Sequence, residues 1–337
     1  MNTTIIPGKS LTPEHLLLWS DFQQANAALA NPFFCPEFTS AVAAVRNDVW
    51  IGLVKEAGKI VGFFPFQRGK LPIGQPVGYT LCDYQGLIVQ PGLDWDVAEL
   101  LRGCGLKIWN FDNLIASQPA FQPFHKLKTE SLIINLSSGY KAYESEQRAN
   151  SNWIGQASRK MRKFEREVGS LRFKAHVGDT SLLRLLMRWK SEQYAQLGTF
   201  DRFNIEWMVR LIERIHATQG ENFAGMLSVL YVGDEVAALH FGMRSQSVWH
   251  YWFPSYNQQF QQYSPGLILL LKMIENAQSL NIQSIDLGKG DESYKQRVSN
   301  DAIPLAEGSV ELPSLISTAR WFRRKTLEIM RPPIRSA

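Results

Sequence analysis

The sequence predicts a mixed α/β (α+β) protein built of two related units in tandem, each a mixed central β-sheet flanked by helices. Three observations carry this expectation. The 337 residues exceed the roughly 250–300 at which single cores stop growing, which favours two domains. Two stretches, WIGLVKEAGKIVGFFPFQ (50–67) and MLSVLYVGDEVAALHFGM (226–243), share a strand, glycine turn, strand layout. Laid Gly58 on Gly233, they pair Val61 with Val236, Gly62 with Ala237, Phe64 with Leu239 and Phe66 with Phe241. Finally, the second half orders its patterns as helix, helix, strand, strand, strand, helix, strand.

Composition narrows the class. Hydrophobic residues make up 45% and charged residues 20%, which excludes a disordered chain. Cys35, Cys82 and Cys104 show neither CxxC nor Cys/His spacing, so no metal site is predicted and a reducing cytoplasm is expected. The opening MNTTIIPGKSLTPEHLLLW lacks the basic and apolar regions of a signal peptide, and the longest aliphatic run is Leu267 to Leu271. Export and membrane spanning are therefore not expected. A net charge of +5 suits phosphorylated or otherwise acidic ligands. Nucleic-acid recognition has only that charge behind it, with no supporting motif.

The elements follow from periodicity and caps. After the first hairpin, the polar segment 140–173 predicts one or two connecting helices. Its run RKMRKFER carries enough charge to grip phosphate, yet Met161, Phe164 and Val168 recur at helical spacing and predict one buried face. Helices are predicted over 179–198, from a capping Asp179 to Gly198, and over 204–220, from Asn204 to Gly220. Then come the second hairpin, an aromatic strand SVWHYWFPSY (247–256), a helix reaching about Asn281 and a strand QSIDLG (283–288). The tail 314–337 interleaves Leu315, Ile316, Phe322, Leu327 and Met330 with basic residues, a pattern that suits either docking on the body or peripheral contact with an anionic membrane surface.

The turn QQYSPG (261–266) precedes the most apolar helix, LILLLKMIENA. A helix N-terminus offers unpaired N–H groups and the positive end of the macrodipole, so it can hold an anion without a basic side chain. An alternative needs no ligand: Ser264 caps the helix and Pro265 takes its favoured first position. The helix is apolar nearly all round apart from Lys272 and Glu275, which predicts burial against the sheet.

The element order, together with NPFFCPEFTSAV (31–42), VGFFPFQ (61–67), GYTLCDYQGLIV (78–89), RWKSEQY (188–194), YSPGLILL (263–270) and IDLGKGDESYK (285–295), resembles the CelD/BcsL-type acetyltransferases of the GNAT family, over about residues 30 to 300. These have two GNAT-like halves and are distantly similar to the FemABX aminoacyltransferases. The resemblance implies an N-terminal GNAT-like domain (1–139) on the acceptor side, connecting helices (140–175), a C-terminal GNAT domain (176–305) that binds acyl-CoA, and a basic tail (306–337). It implies acyl transfer from acetyl-CoA to an amine or hydroxyl of a small-molecule acceptor, a sugar or an envelope or exopolysaccharide precursor. The GNAT loop typically reads Gln/Arg-x-x-Gly-x-Gly/Ala, and here Gln261, Ser264 and Gly266 occupy those places. Gln261, Gln262, Tyr263, Ser264 and Gly266 are the expected cofactor-binding residues.

Thioester aminolysis needs a base near neutral pKa, donors for the oxyanion and a proton for the thiolate. His240, Asp286 and Tyr294 are the candidate catalytic groups, with Asp286 acting as base or orienting one and Tyr294 protonating the thiolate. His240 and Asp286 also have an ordinary reading, as a hydrogen-bonded core histidine and a loop cap. Asp83, Tyr84, His250, Glu292 and Lys295 are the candidate substrate-binding residues. Two further readings stay open: FemABX-like transfer from charged tRNA, and a degenerate GNAT that only binds a ligand or partner.

Overall fold

The computed structural model describes residues 2–290 and 292–330, with side chains through 322; Asp291 and residues 331–337 of the expected tail lie outside the described residues. The first half comprises β1 (Asn2–Pro7), α1 (Pro13–Gln24), α2 (Pro36–Val45), β2 (Val49–Glu56), β3 (Lys59–Gln67), β4 (Ile73–Gly74), β5 (Ile88–Val89), α3 (Val97–Gly103), β6 (Ile108–Ile115) and β7 (His125–Asn135). The helices α4 (Tyr140–Asn150) and α5 (Trp153–Glu167) lead into β8 (Leu171–Lys174), α6 (Thr180–Leu197), α7 (Glu206–Ala217), β9 (Ala224–Val232), β10 (Glu235–Arg244) and β11 (Val248–Tyr256). Last come α8 (Pro265–Asn276), β12 (Ser284–Asp286), α9 (Ser293–Val298), β13 (Asp301–Glu311) and α10 (Leu315–Met330).

Local chemistry accounts for most boundaries. The β2–β3 hairpin turns at Ala57 and Gly58, both with positive φ. Asp179 accepts from Ser181 N–H to start α6, and Gly198 ends it in the left-handed conformation. The charged segment before β8 does fold as two helices, and Phe164 of α5 is fully buried. Val168, expected on the same buried face, is 42% exposed because α5 ends one residue before it. Asn204 sits in a short 3-10 turn and does not cap α7, which begins at Glu206 without a side-chain cap.

Strands β1-β2-β3-β5 form one sheet, and a second of nine runs β4-β6-β13-β7-β12-β11-β10-β9-β8. The larger sheet mixes both halves. Strand β7, from the first half, pairs antiparallel with β12 at Asp286↔Ile133 and with β13 along most of its length. Residues 306–311, expected to open the basic tail, instead complete β13 and pair with β6. One apolar core also joins the halves: Trp19, Phe33, Phe38 and Phe63 pack in the same cluster as Leu183, Leu211, Phe241 and Phe253. Helix α8 buries Ile268 to Leu271, Met273 and Ile274, as its all-round apolar pattern requires.

Two features of β11 position the site. It pairs in parallel with β12 only at Val248↔Ser284, Trp249↔Ile285 and His250↔Asp286, after which β12 stops and β11 runs on to Tyr256. The edge of β11 facing the missing strand thus opens a gap. At the same point Phe241 pairs with Phe253 and Met243 with His250, so Tyr251 and Trp252 together oppose Gly242 in a β-bulge. A methyl group at Gly242 would meet the His250 carbonyl oxygen and the His240 ring.

Gly242→Ala is therefore expected to destabilise the fold by about 1–3 kcal/mol through overpacking. Urea unfolding checks this; an unchanged midpoint would show that the bulge has room for a side chain.

Candidate active site

His250 leaves β11 toward the junction of the halves and is fully buried. Its Nε2 lies 2.9 Å from Asp83 Oδ2, and its Nδ1 lies 3.6 Å from Asp286 Oδ1. Burial alone would depress its pKa, but hydrogen bonds to Asp286 and Asp83 and the charges of both outweigh it and raise the pKa to about 9. At neutral pH the ring is thus an imidazolium with both N–H groups directed at carboxylates. Asn31 Nδ2 approaches Nδ1 to 3.4 Å, yet a protonated nitrogen accepts nothing, and that amide donates instead to Asp286 Oδ2 at 2.8 Å.

Asp286 is also fully buried. Burial would raise its pKa, but His250, Ser131 and Tyr84 bring it below the ordinary value. Its Oδ1 accepts from Ser131 Oγ at 2.6 Å and from Gly288 N–H at 2.9 Å. Gly288 has φ +71°, a backbone conformation that favours glycine. The Tyr84 hydroxyl is buried near Asp286 and Ser131, and burial with the Asp286 charge pushes its pKa well up.

Asp83 is the member of the cluster that reaches open space. It lines a cavity of about 280 Å³ with Lys190, Arg202, Glu292, Tyr294 and Lys295. A second cavity, of about 340 Å³, shares Lys190, Tyr251, Pro254, Glu292 and Tyr294 with the first and extends to Ser264 and Gly266 at the start of α8. The two make one cleft, walled by the unpaired edge of β11, with Asp83 at one end and the α8 N-terminus at the other. Burial holds the Tyr294 pKa above the ordinary phenol value, so its hydroxyl is protonated at neutral pH. A separate hollow of about 400 Å³ near the C-terminal end of α8 carries no carboxylate, histidine, lysine or arginine.

At the α8 N-terminus, Pro265 takes the first helical position. Ser264, however, is left-handed (φ 52°) and its side chain caps nothing; its Oγ meets Lys160 Nζ at 2.5 Å. Its carbonyl accepts from Leu267 and Ile268 N–H, which leaves Gly266 N–H without a partner among the described residues, on the cavity wall. An unpaired N–H, a helix N-terminus and a lysine on α5 together suit a phosphate group.

The candidate residues of the sequence divide by position. Asp83, Glu292, Tyr294, Lys295, Ser264 and Gly266 line the cleft. His240 and Asp286, expected as catalytic groups, do not. His240 stacks on Tyr251 at 4.4 Å, is buried to a pKa well below the ordinary value, and accepts the bulge's Trp252 N–H at Nε2 (3.3 Å). Its place is beneath the bulge rather than at an acceptor. Tyr263 likewise turns away, stacking on Phe164 at 4.4 Å and donating to Glu167, while Gln261 and Gln262 are exposed outside the cleft wall. His250 and Tyr84 are buried behind Asp83 and do not line the cleft either. Asn31, Ser131, Lys160, Lys190 and Arg202 are not among the candidate site residues of the sequence. Asn31 and Lys190 lie in stretches that carry the family resemblance and Lys160 in the basic run on a helix face, while Ser131 and Arg202 left no signal.

The raised His250 pKa makes a pH prediction. Its stabilisation is fully present below the unfolded value of about 6.5, declines as pH rises toward 9 and is absent above that, on the order of 3 kcal/mol in all. Asp286 works oppositely, contributing above its ordinary value and losing that contribution as pH falls through its depressed one. Urea unfolding at pH 6.5, 8 and 9.5 should show stability falling with pH in the native sequence and a flatter profile in His250→Gln. Equal slopes would place the titration elsewhere.

Residues 152–296 match the model of the acetyltransferase (GNAT) domain. Comparison with curated proteins finds no match. Among solved structures, the chain is similar to FemX (TM-score 0.62, 10% identity, 95% of this chain and 99% of that one). It is similar to the C-terminal domain of a putative lysylphosphatidylglycerol synthetase from Agrobacterium fabrum (TM-score 0.55, 11% identity, 91% and 96%). A tandem GNAT protein from the clavulanic acid biosynthesis pathway aligns with a TM-score of 0.50, 11% identity and coverage of 93% and 99%. At such identities the likeness is one of fold, and the fold is the mixed α/β GNAT type, found also in tandem GNAT proteins.

Proposed function

We propose that the protein is an acyl-CoA-dependent acyltransferase that moves an acyl group to an amine or hydroxyl of a small acceptor, a sugar or an envelope or exopolysaccharide precursor. The observation that carries this reading is the cleft where β11 and β12 part, with the unpaired Gly266 N–H at one end and Asp83 at the other. Acyl-CoA would supply an activated thioester and an anionic pyrophosphate. Gly266 N–H, the α8 dipole and Lys160 would hold the pyrophosphate. The missing N–H at 265 leaves fewer backbone donors than a glycine-rich loop has, and the Lys160 ammonium would add side-chain donors there.

Of the two carboxylates on the cleft wall, Glu292 is paired with Lys295, and Asp83 would take the acceptor's proton as the nucleophile attacks. His250 and Asp286 are positioning residues in this scheme: they fix the Asp83 carboxylate and balance its charge. Backbone N–H groups on the unpaired edge of β11 are the available donors for the developing oxyanion. Tyr294, protonated at neutral pH and shared by both arms of the cleft, would give its proton to the departing thiolate. A second reading, transfer from charged tRNA, draws support from the basic α5, which brings Lys160 to the α8 N-terminus.

Calorimetric titration with acetyl-CoA tests the donor. The native sequence should bind, and Gly266→Glu, whose Cβ has room beside Tyr256, should lose at least roughly tenfold in affinity with its circular dichroism unchanged. Absence of binding by the native protein, with a mobility shift by charged tRNA, would transfer the case to the second reading.

A further inference from the structure

The Asp83 arm of the cleft is lined by more cations than anions: Lys190, Arg202, Lys289 and Lys295 against Asp83 and Glu292. Two of the cations are neutralised locally. Lys289 pairs with Glu307, and Lys295 pairs with Glu292 at 3.1 Å while donating to the Lys289 carbonyl. The other two are not. Among the described residues Lys190 and Arg202 make no ion pair; Lys190 Nζ donates to Gln193 Oε1 at 2.9 Å. Both cations lie over the Tyr194 ring, at 5.2 and 6.0 Å from its centre.

Such an arrangement has a cost that a ligand would remove. Half-buried cations without counter-ions are destabilised by lost hydration and by each other. Lys190 registers this directly: burial first, then Arg202 and Lys295, lower its pKa to about 8, against a partial offset from Glu292. A guanidinium beside an ammonium fits an oxyanion, which can accept from both at once. The α8 N-terminus lies on the other arm of the cleft; Arg202 lines the Asp83 arm alone, whereas Lys190 stands where the two arms meet, so the two anion sites are told apart by Arg202 and Gly266.

Resting on the reading of this cleft as an acyl-transfer site, we infer that the acceptor carries an oxyanion, a phosphate or a carboxylate, held by Lys190 and Arg202 beside Asp83. Charge recognition there would set the orientation of the acceptor, presenting its amine or hydroxyl to the Asp83 carboxylate.

The test follows the Lys190 ammonium in protein labelled with ¹³C at lysine Cε, its resonance assigned by loss in Lys190→Arg. Sodium phosphate and sodium acetate are titrated separately at constant ionic strength. At least one should shift the resonance saturably and raise the Lys190 pKa by about one unit. Arg202→Met should weaken that response roughly tenfold or more, and Gly266→Glu should leave it intact. A response to phosphate alone assigns a phosphorylated acceptor, and a response to acetate a carboxylate. No saturable response to either anion, or a response indifferent to Arg202→Met, would overturn the inference. Loss of the response in Gly266→Glu would do the same, by assigning these cations to the donor's phosphates. Acetyl-CoA calorimetry on the same samples reports separately on the donor.

Discussion

A protonated histidine held between two carboxylates, one from each half of the chain, is the constraint around which the site is built. His250 and Asp286 come from neighbouring strands of the second half, while Asp83 and the Asn31 amide come from the first. Ser131, from β7, completes the shell. Burying ions is costly unless every lone pair and proton is met, and removing one partner from such a cluster typically costs about 3–5 kcal/mol. The halves must therefore stay in register for the cluster to exist. The shared apolar core and the pairing of β7 with β12 and β13 hold them there.

The same residues explain why a cleft opens where it does. Parallel pairing of β11 with β12 ends at His250↔Asp286, the pair that carries the cluster. Beyond it, β12 gives way to the Gly288 turn, whose N–H is spent on Asp286, and β11 continues with one edge unpaired. The bulge at Tyr251 and Trp252 bends that edge, and His240 satisfies its turned N–H from below. Packing, charge and backbone geometry converge on one gap, with a helix N-terminus at one end and a carboxylate at the other.

What the sequence disclosed was mostly local. The two hairpins, α6 with its aspartate and glycine caps, and the buried α8 are written in periodicity and turn chemistry. Long-range pairings left no such trace. Strand β13 has alternate neighbours in β6 and β7, far away in the chain, and its final residues were read as the start of a tail. Asp83 and His250 were each singled out, but nothing local says that residues 167 positions apart meet. His240 and Asp286 satisfied the chemistry of a base on paper; depth decided otherwise, since one supports the bulge and the other supports His250. Lys190 looks like any solvent-facing lysine of an amphipathic helix until Arg202 and Lys295 are placed beside it.

The ionisation of the His250 ring tests this account most directly. Nitrogen-15 spectra of histidine-labelled protein, with the ring assigned through His250→Gln, would be recorded at pH 8 and through a titration. The account predicts an imidazolium at pH 8, with both nitrogens protonated and a midpoint near 9. A neutral tautomer at pH 8 would contradict it, leaving Asp83 without the charge that fixes it and making His250 itself a candidate for general base.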